Sequence, residues 1–173
     1  MRKLKLATAW LDGCSGCHMS FLDMDERLLE LAELVDIVYS PIVDAKEFPD
    51  GVDIALVEGA VASVDDEQKI RKIRAHCRTL VAMGDCAITG NVPSMRNAIG
   101  PEPILNRAYI ENATLQPQIP CIVVPRLLKL VRPIHEFVDV DVFLPGCPPS
   151  ADTFHAALPA MITGEPLDIP ALT

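Results

Sequence analysis

Apolar positions along this chain alternate between two rhythms. Short, nearly continuous apolar runs at 4–10 ("LKLATAW"), 35–41 ("VDIVYSP"), 52–60 ("VDIALVEGA"), 79–87 ("TLVAMGDCA") and 140–147 ("VDVFLPGC") predict five strands. Runs with so few polar breaks suit strands covered on both faces. Between them the period lengthens. Residues 18–34 place Phe21, Met24, Leu28, Leu31 and then Val35 at helical spacing. Ser63 opens a second helix, with an N-cap hydroxyl, an acid at Asp66, and Ile70, Ile73, Cys77 and Leu80 on one face. A closing helix covers 150–164, with Ser150 or Asp152 as its cap.

Parallel neighbours need crossovers, and crossovers are usually helical. The alternation therefore predicts an α/β fold, a flavodoxin-like open parallel sheet with helices on both faces, as one domain over 1–173. One stretch breaks the pattern. Residues 91–139 are rich in proline and hold a single clear apolar run, "IPCIVVPRLLKLV". That is too long for an ordinary connection, and the reading is a functional excursion over the sheet edge with a helix near 127–131.

Half of the residues are apolar, yet charges or prolines interrupt every candidate membrane span. The start, "MRKLKLATAW", runs straight into strand-like sequence without the apolar core of an export signal. The expectation is a cytoplasmic chain with no membrane span. A net charge of −9 without a basic stripe argues against nucleic acid as a partner. The apolar excess fits either a larger core or a surface covered by a partner protein. In a cytoplasmic chain, six cysteines read as metal ligands or buried thiols rather than disulfides.

Four of those cysteines, Cys14, Cys17, Cys86 and Cys147, fall at the carboxyl ends of predicted strands. In an open parallel sheet these ends share the rim where such folds bind ligands. Cys77, on the apolar helix face, and Cys121, within the apolar run, read as core residues. Four thiolates suit zinc or an iron-sulfur cluster. Zinc ribbons present two close cysteine pairs, whereas here one Cys-x-x-Cys pair is joined by two single cysteines. Gly13 and Gly16 let backbone N–H groups approach the sulfurs, with Ser15 between them. Pro148 after Cys147 is similar to the Cys-Pro ending of ferredoxin motifs. A phosphate loop would favour hydroxyls over cysteines. A thioredoxin-type pair would leave Cys86 and Cys147 without a role.

Taken in order, "DGCSGCHMSFLD", "VEGAV", "MGDCAITGNVPSMRN" and "LPGCPPS" resemble the small subunit of nickel-iron hydrogenases, most of all the cytoplasmic NAD-reducing (bidirectional) type. The resemblance runs from 4 to about 164. It implies a flavodoxin-like domain carrying one 4Fe-4S cluster on Cys14, Cys17, Cys86 and Cys147, with Gly13, Ser15, Gly16 and Pro148 around it. It also implies a large subunit holding the nickel-iron centre, and iron-sulfur and flavin subunits holding FMN and NAD. Membrane-linked members have a twin-arginine signal and an extension with two further clusters; neither is visible here, so the expectation is a single cluster without export. A related subunit of respiratory complex I, beside a quinone site, has adjacent cysteines in its first motif, from which "CSGC" departs. A zinc-stabilised interaction module is the alternative outside electron transfer.

Glu58 ends a buried strand on the same rim, where an unpaired charge is costly. It reads either as a brace accepting backbone N–H groups or as a proton relay or redox-dependent iron ligand. Asp12, Asp85 and His18 flank cysteines and read as loop braces, while His76, His135 and His155 have no metal spacing. Met19, Met24 and the run at 119–131 read as core, with an interface as the other possibility.

Overall fold

The computed structural model describes residues 2–168; Met1 and residues 169–173, the ends of the expected domain, lie outside the described residues. Five strands form one parallel sheet: β1 (Leu4–Trp10), β2 (Val35–Tyr39), β3 (Val52–Glu58), β5 (Cys77–Met83) and β7 (Val142–Leu144). Their order across the sheet is β2-β1-β3-β5-β7. Counting only these strands, that is the flavodoxin order, with its switch point between β1 and β3.

Successive strand residues point to opposite faces, and each face has its own core. On one face Leu80 and Ala82 of β5 pack with Ile70 and Ile73 of α3 (Val64–His76). On the other, Val81 and Met83 pack with Phe21 of α1 (Gly16–Leu22), Leu31 of α2 (Arg27–Leu34), and Phe154 and Leu158 of α7 (Ala151–Thr163). Helices thus cover both faces, as the apolar rhythm predicts. The Ser63 cap forms in full: its Oγ accepts the Asp66 N–H while Asp66 accepts the Ser63 N–H, a reciprocal capping box. Ser150, not Asp152, caps α7 by accepting the Thr153 N–H at 3.1 Å.

Several local expectations change. The helix predicted over 18–34 is two, α1 and α2, broken where Asp25 takes φ +50. Phe21, Met24, Leu31 and Val35 are buried all the same, so the period survives the break. Cys77 and Leu80 are not helical. The chain turns extended at Cys77, which pairs in register with Val52 at the start of β5. The fourth predicted strand ends at Met83, and Cys86 lies in a short helix, α4 (Asp85–Thr89).

The excursion differs most. After α5 (Asn91–Ser94), a 3-10 turn over Met95–Ala98 and α6 (Pro101–Asn106), residues 127–131 form not a helix but a strand, β6 (Leu127–Arg132). It pairs antiparallel with β4 (Val61–Ser63). A helix confined between Pro125 and Pro133 is too short to repay nucleation, and the free edge of β4 offers hydrogen bonds instead. Cys121 is exposed rather than core. The stretch before β6 is mostly outside too, with Ile122 80% and Val123 99% exposed.

Candidate functional site

Three loops at one end of the sheet carry the four cysteines. The loop after β1 carries Cys14 and leads into α1, which holds Cys17; α4 holds Cys86; the loop after β7 holds Cys147. Backbone hydrogen bonds draw these loops together. Asp12 and Ala60 exchange N–H groups, at 3.0 and 2.7 Å, tying the first loop to the end of β3. Asp85 N–H donates to Gly146 O at 2.9 Å, and Gly146 N–H returns to Asp85 Oδ1 at 2.8 Å. Ser20 Oγ–H donates to Pro149 O at 2.5 Å, joining the helix of Cys17 to the loop of Cys147. Asp12 and Asp85 are therefore braces on either side of the thiols.

Glycines keep room for the sulfurs. A Cβ at Gly16 would stand 3.1 Å from Cys14 Sγ, and one at Gly84, where φ is +81, would collide with Cys17 Sγ. At Gly59, φ +86, a Cβ would meet Asp12 O at 2.8 Å, so the β3 end and the first loop touch backbone to backbone. Ser15 takes φ +64 between the two cysteines, and Pro148 follows Cys147 through a cis peptide bond.

Electrostatics show that the four thiols are neighbours. Burial pushes the Cys17 thiol well above its ordinary pKa, and Glu58, Cys86, Cys14 and Cys147 each push it further. Cys86 is raised by burial and then by Cys14, Cys147 and Glu58, against an opposing N–H from Val92. Negative charge therefore accumulates here only with a cationic centre to offset it. Among the described residues no three His, Cys, Asp or Glu side chains are gathered as one ion requires. Four thiolates can be taken by zinc or, one on each iron, by an iron-sulfur cluster. Soft donors, the glycine cradle and N–H groups aimed at sulfur fit the latter.

Glu58, only 2% exposed, accepts the backbone N–H of His18 on Oε2 at 2.8 Å. The His18 ring Nδ1 is 3.0 Å from the same oxygen but out of line for a hydrogen bond, and its edge meets Trp10 at 5.5 Å between centroids. The carboxylate thus holds the first turn of α1 beside Cys17. Elsewhere, His76 pairs with Asp50 and His155 with Glu30. Met24 is core, while Met19 is exposed. Sequence reasoning passed over Gly84, Asn91 and Val92. The signal was there in the Gly84–Asp85–Cys86 run and in the Gly90–Asn91 turn dipeptide.

Fold and rim define a class: a flavodoxin-like α/β domain whose switch-point loops are given over to thiols instead of a phosphate. Residues 14–161 match the family described as NADH ubiquinone oxidoreductase, 20 Kd subunit. The chain is 41% identical over 174 residues to the NAD-reducing hydrogenase HoxS subunit delta of Cupriavidus necator, covering 98% of this chain and 83% of that one. It is 39% identical to a subunit of the F420-non-reducing hydrogenase (vhu) of Methanocaldococcus jannaschii, spanning 96% of this chain but 59% of that protein. A chain in the crystal structure of an NAD+-reducing NiFe-hydrogenase in the H2-reduced state superposes with a TM-score of 0.93, at 42% identity over 99% of both chains. A NiFeSe-hydrogenase chain from Dm. baculatum, TM-score 0.63 at 18% identity, shares the fold.

The chain belongs to this 20 kDa subunit family and, within it, to the small subunits of nickel-iron hydrogenases of the NAD-reducing type. It is a subunit of a hydrogenase, an oxidoreductase. No described helix is long and apolar enough to cross a membrane.

Proposed function

We propose that Cys14, Cys17, Cys86 and Cys147 hold one 4Fe-4S cluster that relays electrons between the nickel-iron centre of a large partner subunit and subunits carrying iron-sulfur centres, FMN and NAD. The observation that supports this reading is that four cysteines from three loops lie on one rim within one another's electrostatic reach, with Gly16 leaving room for the sulfur of Cys14 and Gly84 for that of Cys17. When bound, such a cluster accepts and gives up one electron at a time.

The chain's own residues fix where and how readily that happens. Gly13 packs against the backbone of Gly59, 3.3 Å from where its Cβ would stand, and Ser15 and Gly16 turn the loop around Cys14. Pro148 stands between Cys147 and the start of α7, adding bulk without a donor. Glu58 braces Cys17 and, as the one buried carboxylate among the described residues, is positioned to pass a proton or to reach iron in one redox state. The exposed apolar side chains of the excursion, Met95, Ile99, Ile122 and Val123 among them, suit burial against a partner subunit.

Identity to the NAD-reducing relative over nearly the whole chain favours this reading over a quinone-site subunit. One Cys-x-x-Cys pair joined by two single cysteines on separate loops, instead of two close pairs, favours it over a zinc module. The test is anaerobic purification with native partners, metal and sulfide analysis, and low-temperature EPR. Four irons and four sulfides per chain with nickel in a bound larger subunit are expected; one zinc and no EPR signal would overturn the reading.

A further inference from the structure

We propose that the side-chain amide of Asn91 is a dedicated hydrogen-bond donor to the cluster ligand Cys147 and biases the cluster toward its reduced form; this rests on the cluster reading above. Asn91 Nδ2 lies 3.5 Å from Cys147 Sγ, within N–H···S reach, although the two are 56 residues apart. The approach is built into the backbone. Gly90 takes φ +84 and Asn91 φ +28, so the chain reverses immediately after the helix of Cys86. Asparagine and glycine tolerate positive φ where other side chains do not. The same reversal presents the N–H of Val92 to Cys86, where it opposes the effect of burial.

The turn is held from both sides. Ser94 Oγ–H donates back to Asn91 O at 2.7 Å. Further on, Asn97 acts like a strand partner, donating to Val131 O and accepting from Val131 N–H, both at 2.8 Å. Arg96 Nη2 donates to Ala62 O and Leu128 O at 3.0 Å each, clamping the segment to the β4–β6 ribbon. The donor therefore sits on a fixed arm, and not on a free loop. A reduced cluster carries one more negative charge than the oxidised form, so an N–H aimed at its sulfur stabilises the reduced form more.

The test uses the intact holoenzyme with Asn91→Gly, which keeps positive φ and removes the donor without adding charge, and Asn91→Asp, which keeps the shape. With the sample poised at the wild-type midpoint and read by EPR, the reduced-to-oxidised ratio is expected to fall about three- to tenfold in Asn91→Gly, tenfold being about 59 mV for one electron. It should fall further in Asn91→Asp, with four irons retained in both. An unchanged ratio in Asn91→Gly overturns the proposal, including when Asn91→Asp alone shifts, since that is its charge acting. Should a variant not assemble, wild-type holoenzyme with this chain's asparagine amides 15N-labelled decides. A 15N coupling to the reduced cluster supports the bond, and its absence overturns it. Wild type lacking iron would instead fail the cluster reading itself.

Discussion

The space a side chain would need at Gly84 is taken by the sulfur of Cys17. Gly84 lies in the turn after β5 and Cys17 in the first turn of α1, so these two turns close on each other only while residue 84 has no Cβ. Gly84 takes φ +81 and ψ +159, a region essentially reserved for glycine, so Gly84→Ala costs about 1–3 kcal/mol and displaces a proposed iron ligand. Iron per chain is expected to fall to less than about half of wild type. Gly51→Ala is the control: φ is +67 but nothing lies within 4 Å. It should lose some stability and keep its iron, and equal iron loss in both would show that the Cys17 contact has no special role.

The cysteines divide into two groups by position. Serine at Cys17 or Cys86 should abolish visible absorption and cluster EPR, because each thiol lies in the mutual field of the other three. Cys121→Ser should change neither, since Cys121 is exposed in the excursion. A colourless Cys121→Ser protein would place that residue among the ligands and remove one of the four proposed here.

Glu58→Gln separates bracing from chemistry. Glutamine retains an oxygen for the His18 N–H, now at 2.8 Å from Glu58 Oε2, so α1 stays anchored. It cannot carry a proton as a carboxylate does. If Glu58 relays protons, hydrogen turnover falls about a hundredfold while the cluster spectrum of the as-isolated enzyme is kept. If it reaches iron in one redox state, the oxidised spectrum changes. Normal turnover with a normal spectrum in both redox states leaves Glu58 as a brace alone.

How far the chain could be read in advance depended on the range of the forces involved. The five strands, the two-faced sheet and the Ser63 box follow from local periodicity and side-chain to backbone bonding, and Ser63 needs only Asp66, three residues away. The resemblance to hydrogenase small subunits rests on short motifs and was equally legible. Less so were features set by distant partners. Residues 127–131 become a strand because β4 offers them an edge, and nothing within "RLLKLV" announces that. Cys121 lies in an apolar run, yet the part of that run before β6 stays exposed. Asn91 looks like a turn residue until the loop of Cys147, 56 positions later, arrives beside it.

The fifth sheet strand, β7, is short, and one carboxylate at its start adds to the backbone ladder that pairs it with β5. Asp141 Oδ2 accepts the Leu80 N–H at 2.7 Å and Arg74 Nη1 at 2.6 Å, while Asp141 N–H donates to Leu80 O at 3.0 Å. Burial raises the Asp141 pKa, but the Leu80 N–H and the Arg74 guanidinium together outweigh it and hold the carboxyl below its ordinary value. A folded-state pKa depressed in this way contributes stability above the unfolded value of about 3.9, and that contribution is lost as pH falls through the folded value. The pair is partly exposed, so solvent screening limits Asp141→Asn to a loss of about 0.5–1 kcal/mol at pH 7. Urea unfolding should show that deficit at pH 7 and show it closing below about pH 4, as wild-type Asp141 itself becomes neutral. A deficit of the same size at pH 3 would mean that asparagine fails by its shape or hydrogen bonding, and that the charge at 141 contributes nothing to holding β7 on the sheet.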